Sequence, residues 1–132
     1  MAKTIVAFIC VHNACRSQMA EALGNALAGD VMTCYSAGSE VQPAINADAV
    51  RLVKAHYGID MAHQYSKRFD AIPTPDLIIS MGCEVACPCV GRGFDADWSL
   101  PDPTGHEDAF FLDVLHAIET KVLALRDALA KR

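Results

Sequence analysis

Apolar residues along this chain switch between two spacings. Thr4-Ile5-Val6-Ala7-Phe8-Ile9 is short, apolar and rich in branched and aromatic side chains, the pattern of a buried strand. Met19, Ala22, Leu23, Ala26 and Leu27 then recur in steps of three and four, which predicts a helix with that face inward. Gly29-Asp30 makes a turn, and Val31 to Ala37 predicts a second strand that ends at Ser36-Ala37-Gly38. Pro43 precedes a predicted helix from about Asn46 to Tyr57, with Ala49, Leu52 and Val53 inward and Gly58 as its stop. Ile59 to Arg68 reads as a polar connection with room for a short helical turn, and it carries His63, Ser66 and Lys67.

The second half repeats the alternation. Asp76-Leu77-Ile78-Ile79-Ser80-Met81 predicts another buried strand, and Gly82-Cys83 follows at its carboxyl end. Cys83 to Gly93 is a loop crowded with Cys, Pro and Gly. Asp95 to Leu100 predicts a very short edge strand around Trp98, and Pro101-Asp102-Pro103-Thr104-Gly105 a rigid turn. The last helix is the clearest, with Phe111, Leu115, Ile118, Val122, Leu125 and Leu129 stepping by four and three. Glu107 and Asp108 suit its positive start, Lys131 and Arg132 its negative end. Strands alternating with helices imply an α/β fold, a mostly parallel sheet covered on both faces. Sites in such sheets gather beyond the carboxyl ends of the strands. Cys10 and Cys83 both fall there, so two thiols distant in sequence are expected to meet.

Composition narrows the class. With 132 residues and 52% hydrophobic side chains, residues 1–132 are expected to form one folded domain with a real core. A net charge of −5 argues against nucleic acid or an anionic membrane as partner. An anionic substrate must therefore be drawn in by a local positive site. Ile5 to Val11 is too short to span a bilayer and lacks a signal-peptide layout, so a cytoplasmic protein is expected. Six cysteines in such a chain point to redox or metal chemistry rather than to structural staples. Cys10 and Cys15 form one group, Cys83, Cys87 and Cys89 a second, and Cys34 sits alone as core packing.

The chemistry concentrates in Cys10-Val11-His12-Asn13-Ala14-Cys15-Arg16-Ser17, where the first strand ends and the first helix begins. A turn placed there aims successive backbone N–H groups and a helix N-terminus at one spot, an anion-binding nest. A thiol at its start faces that helix end and a cation, conditions that favour thiolate. The planar fork of Arg16 suits two oxygens of a tetrahedral oxyanion, and Ser17 can donate to Cys10 or cap the helix. Cys-x5-Arg-Ser between strand and helix thus outweighs the reading of Cys10 as inert packing. Prolines on either side of Asp102 can aim its carboxyl at the nest as a general acid; its bland reading is a turn residue capping the next helix. Zinc competes for Cys83, Cys87 and Cys89, with His63 or His106 as fourth ligand. The Cys-x3-Cys-x-Cys spacing lacks the usual knuckle, and thiol exchange fits better, so no metal is expected.

Cys10 to Ala22, Ser36-Ala37-Gly38, Met81-Gly82-Cys83, Cys87-Pro88 and Trp98 to Gly105 together resemble the arsenate reductases built on the low-molecular-weight tyrosine phosphatase fold, over nearly the whole chain. The resemblance implies a flavodoxin-like fold, a four-stranded parallel sheet flanked by helices on both faces. It also implies a monomeric enzyme of arsenical resistance that turns arsenate into arsenite without a cofactor, with phosphate or sulfate as analogues. Cys10 would attack arsenate held by Arg16 and the loop Val11, His12, Asn13, Ala14, Cys15 and Ser17, while Asp102 protonates the departing oxygen. Cys83 would then attack the Cys10 adduct and release arsenite, and Cys87 would attack Cys83 and carry the disulfide to thioredoxin or another thiol reductant. Cys15 would be buried.

Two features depart from that pattern. The short Cys83–Cys87 interval leaves the reductant open between thioredoxin, glutaredoxin and a small thiol, and Cys89 remains a rival final thiol. Asn13, Glu21 and Ser36 match a potassium site of relatives, but Lys67 stands where those carry an acid, so its ammonium would replace the ion. The rival function is a low-molecular-weight tyrosine phosphatase using Cys10, Arg16 and Asp102; Thr104-Gly105 stands where such enzymes usually carry aromatic residues. A third reading is a non-catalytic oxyanion-binding or redox-sensing protein, against which intact Cys10, Arg16 and Asp102 count.

Overall fold

A strand as apolar as residues 4–9 must be covered on both faces, and the fold supplies both covers. The computed structural model describes residues 3–82 and 93–131. Its strands are β1 (Thr4–Ile9), β2 (Met32–Ala37), β3 (Leu77–Ser80) and the short β4 (Ala96–Asp97). They form one sheet in the order β2-β1-β3-β4, with every pair parallel. The helices are α1 (Arg16–Ala28), α2 (Ala47–Tyr57) and α3 (Asp108–Ala130), with a 3-10 helix at Phe69–Ala71. Val6 and Phe8 face a large cluster that holds Met19 and Leu23 of α1, Leu52 and Val53 of α2, and Phe111, Leu115 and Ile118 of α3. Ala7 and Ile9 face the other way with Ala37 and Ile78, beneath Phe69 and Ile72 of the 3-10 segment. This is the expected flavodoxin-like architecture, with its larger core on one side.

The elements follow the pattern of the sequence closely, with differences that have physical causes. Asn46 caps α2 by accepting from the N–H groups of Asp48 and Ala49, and Gly58 ends that helix at φ 68°. In α1 the expected face holds for Met19, Ala22 and Leu23, but Ala26 is exposed and Leu27 only half-buried. Ser17, Gln18, Ala20, Gly24 and Ala28 are buried instead. The helix is pressed against β2 through its small residues: a Cβ on Gly24 would lie 2.5 Å from Cys34 Sγ. A stripe of large apolar residues does not register such contact.

The connection 59–68 is less polar in its setting than in its composition. Met61, Ser66 and Lys67 are buried, because the chain returns beneath the loop that follows β1. The Lys67 carbonyl accepts from Gly38 N–H at 2.9 Å, and the helical turn falls just beyond the connection, at Phe69–Ala71. At the start of α3, Asp108 pairs with Arg51 of α2. Lys131 sits at its C-terminal cap, and Arg132 lies outside the described residues. Among the described residues, no helix is long and apolar enough to cross a membrane.

Candidate active site

The strand order reverses at β1: the chain leaves it for β2 on one side and returns to β3 on the other. A reversal of this kind places a crevice at the carboxyl edge of a parallel sheet. Cys10 follows β1 directly, and Met81-Gly82 follow the end of β3. A cavity of about 290 Å³ lies there, lined among others by Cys10, His12, Arg16, Asp102 and Thr104. A larger, mostly apolar groove of about 420 Å³ runs between β4 and α3, lined by Leu77, Ile79, Trp98 and Lys121. It holds no thiol and no arginine, whereas the smaller cavity brings Cys10 and Arg16 together.

The loop 10–17 is pinned from outside so that its N–H groups stay free inside. The Val11 carbonyl accepts from Ser39 and Glu40 N–H, the Ala14 carbonyl from Asn46 N–H, and the His12 carbonyl from Ser66 Oγ. Gly38 must approach this closely without a side chain, since a Cβ there would lie 2.6 Å from the Val11 carbonyl oxygen. Asn13 takes a left-handed conformation (φ 52°), which Asn tolerates better than most residues. No protein acceptor among the described residues meets the N–H groups of Val11, His12, Ala14, Cys15 or Arg16. They are the N–H groups that an anion-binding nest at this loop would use.

Cys10 is 4% exposed. Its Sγ accepts from Asn13 N–H at 3.3 Å and lies 2.8 Å from Ser17 Oγ. Arg16 Nη1 donates to the Met81 and Leu100 carbonyls at 2.8 and 2.7 Å. This ties the loop to the ends of β3 and of the segment after β4, and Nε and Nη2 are left without a partner among the described residues. Asp102 is exposed at the cavity rim, and its Oδ1 accepts from Thr104 N–H (3.0 Å) and Thr104 Oγ1 (2.7 Å). Partial burial pushes its carboxyl up, but the Thr104 hydrogen bonds and the charges of Arg16 and His12 outweigh it and hold it below its ordinary value. It forms a turn and does not cap α3, whose N-cap is Glu107. His12 Nε2 lies 3.5 Å from Glu40 Oε2 at the mouth.

Behind the loop the four residues matched to a cation site do meet. Lys67 Nζ lies 3.4 Å from Glu21 Oε1 and 3.2 Å from the Tyr65 carbonyl, and Ser36 Oγ donates to Glu21 Oε1 at 2.7 Å. The Lys67 backbone N–H donates to Asn13 Oδ1 at 3.0 Å. Gln18 and Gln64, which sequence reasoning passed over, complete this layer: Gln18 Nε2 reaches Asn13 and Tyr65, and Gln64 Nε2 reaches Gln18 Oε1. Only Gln18's place one residue after Cys-x5-Arg-Ser could have flagged it.

The remaining cysteines divide. Cys15 is buried, and burial, with the charge of Asp102, pushes its thiol up to about 12. Cys34 is buried against α1, and burial likewise pushes its thiol up to about 12. Both are poor nucleophiles, as packing residues are. Cys83, Cys87 and Cys89 lie outside the described residues. Among the described residues, no three His, Cys, Asp or Glu side chains gather as a metal site.

Comparison with known proteins agrees with this geometry. The profile of the low molecular weight phosphotyrosine protein phosphatase family matches residues 5–132. Arsenate reductase 1 of Staphylococcus epidermidis is 32% identical over 127 residues, 92% of this chain and 95% of that protein. An arsenate reductase solved in its phosphate-binding state superposes with a TM-score of 0.83 at 28% identity, covering 96% of this chain and 98% of that one. A thioredoxin-dependent arsenate reductase of Corynebacterium glutamicum gives 0.77 at 29% identity, covering 97% of this chain and 62% of the other.

Proposed function

Because the chain belongs to the low molecular weight phosphotyrosine protein phosphatase family, we propose that its cavity after β1 reduces arsenate to arsenite. One observation carries this reading: Cys10, Arg16 and Asp102 line one cavity beside free loop N–H groups. Its relatives point to arsenate as the substrate. A tetrahedral oxyanion satisfies those N–H groups and the free edge of Arg16 at once.

In the first step the Cys10 sulfur bonds to arsenic and one As–O bond breaks. Asp102 passes a proton to that oxygen, which leaves as water. The resting carboxyl is ionised, but an arriving arsenate brings negative charge beside it and raises its proton affinity. Cys83 then attacks the Cys10 sulfur. The Cys10–Cys83 bond forms, the S–As bond breaks, and its electron pair stays on arsenic, which departs as arsenite. Cys87 attacks Cys83 and frees Cys10, and a dithiol protein, thioredoxin in this proposal, reduces the Cys83–Cys87 bond. The thioredoxin-dependent relative supports that reductant. Such a relay suits a reducing compartment, the cytoplasm. Lys67 Nζ serves in place of a bound cation, holding Glu21, to which Ser36 also donates, while its backbone N–H orders Asn13.

Arsenate reduction measured side by side with thioredoxin, glutaredoxin and small thiols tests the reading. Repeated turnover with thioredoxin is expected, and no arsenite with any donor would overturn it. Cys87→Ser should release one arsenite per enzyme and stall as the Cys10–Cys83 disulfide, whereas Cys89→Ser should keep turning over. A Cys83–Cys89 bond in peptide maps of wild type would move the final thiol to Cys89. The family's own description favours a second reading, hydrolysis of phosphotyrosine at Cys10, Arg16 and Asp102. That reaction needs no Cys83, so wild-type phosphatase turnover without arsenate reduction would select it.

A further inference from the structure

The steps above make no use of Gln18, yet this side chain in the first turn of α1 has no solvent exposure. Its Nε2 donates to the Tyr65 carbonyl (2.9 Å), the Asn13 carbonyl (3.0 Å) and Asn13 Oδ1 (2.9 Å). Backbone carbonyls only accept, so these contacts fix which way the Gln18 carboxamide faces. A backbone N–H only donates, and that of Lys67 meets Asn13 Oδ1 at 3.0 Å. Asn13 therefore turns Oδ1 toward Lys67 and Gln18 and points Nδ2 at Ser17 Oγ, 2.8 Å away. Ser17 accepts from Asn13. Its own hydrogen, in a side chain without exposure, has one partner left, the Cys10 sulfur at 2.8 Å. Gln64 Nε2 closes the far end by donating to Gln18 Oε1 at 2.8 Å. Backbone groups at 65 and 67 thus set the direction of the whole row.

We infer that Gln18 is a positioning residue: it helps hold the Asn13 carboxamide in the orientation that makes Ser17 a hydrogen-bond donor to Cys10. The inference deepens the proposed reaction and rests on Cys10 as its nucleophile. Donors from Ser17 and from Asn13 N–H on one sulfur stabilise the charge it carries when it attacks.

The test needs no arsenate. The full chain is treated with iodoacetamide at fixed pH, and label on Cys10 is read by peptide fragmentation in wild type, Gln18→Met, Ser17→Ala and the double variant, with a melting curve for each. Gln18→Met should slow Cys10 labelling about tenfold, the effect of one weakened hydrogen bond to a charged group. In the Ser17→Ala background the same change should do nothing more, because the Ser17 hydroxyl is the route from Gln18 to sulfur. Gln18→Glu keeps the shape but offers Asn13 an acceptor in place of a donor, so it should slow labelling at least as much. Equal slowing by Gln18→Met in both backgrounds marks a merely structural role and overturns the inference. Wild-type labelling rates in Gln18→Met or Gln18→Glu overturn it too. A wild type that fails to reduce arsenate yet shows the coupled pattern rejects the substrate and keeps the assignment of Gln18.

Discussion

The loop after β1 and the turn after β4 face each other across one cavity, and they are built in opposite ways. In the loop, Asn13 and Ser17 have no exposure, and Asn13 is bonded to Gln18 and to Lys67, which is 54 residues away. In the turn, Asp102 is exposed, and its carboxylate is held by Thr104, two residues on. The difference fits the chemistry proposed for each side, Cys10 as nucleophile and Asp102 as proton donor. A nucleophile gains from a fixed position and fixed donors, since any reorganisation adds to the barrier. A proton donor must reload every cycle and gains from water nearby. Arg16 joins the two constructions, with Nη1 on the Leu100 carbonyl at the foot of the turn.

The largest break falls on the rigid side. Cys10→Ser should abolish arsenate reduction and any phosphatase activity, because a hydroxyl does not ionise in this setting; arsenite release and phosphate-ester hydrolysis are the readouts, and turnover in either would remove Cys10 as nucleophile. On the exposed side, Asp102→Asn should slow the first chemical step ~100-fold, the usual cost of a lost general acid. Its melting temperature should stay near wild type, since an exposed Asn can keep the turn. An unchanged single-turnover rate at neutral pH would leave Asp102 as a turn residue only.

Lys67→Ala probes the support behind the loop. Removing one partner of this nearly buried ion pair should cost about 3 kcal/mol in urea unfolding. It should also make stability newly dependent on potassium, and a wild type that responds to potassium as strongly would show that the ammonium does not fill the site. The smallest effect belongs to the turn. The Asp102 carboxyl lies below its ordinary value in the fold, so it contributes stability above the unfolded carboxylate range and loses it as pH falls through the folded value. Thr104→Val should therefore be less stable than wild type at neutral pH, by under about 1 kcal/mol for so exposed a group. That gap should narrow as the solution is acidified below the carboxylate range. A gap equal at every pH would mean that Thr104 does not act on the charged form.

Local features were legible before folding. β1, the loop and α1 are adjacent in the chain, and the Cys-x5-Arg spacing needs only one turn to bring its groups together. α2 announces itself by Asn46 and Gly58, and α3 by a long apolar period. Ser66 was not legible as a buried residue, and Lys67 only through the resemblance that put it beside Glu21, because nothing in Ile59 to Arg68 itself reveals which surface it will cross. Gln18 and Gln64 look like ordinary polar residues until a partner 46 residues away is within 2.8 Å.

The chain's own pattern therefore determined the order of strands and helices, the parallel sheet this order implies, and the thiol, guanidinium and nest at the end of β1. Only the tertiary structure decided which polar side chains would be buried behind that nest and which way their hydrogen bonds would run. The physical reason is the loss of water. An exposed amide can bond to solvent in either orientation, but a buried one must take whatever donors and acceptors distant backbone brings to it. At Asn13 those are the Lys67 N–H and Gln18, itself oriented by the Tyr65 carbonyl.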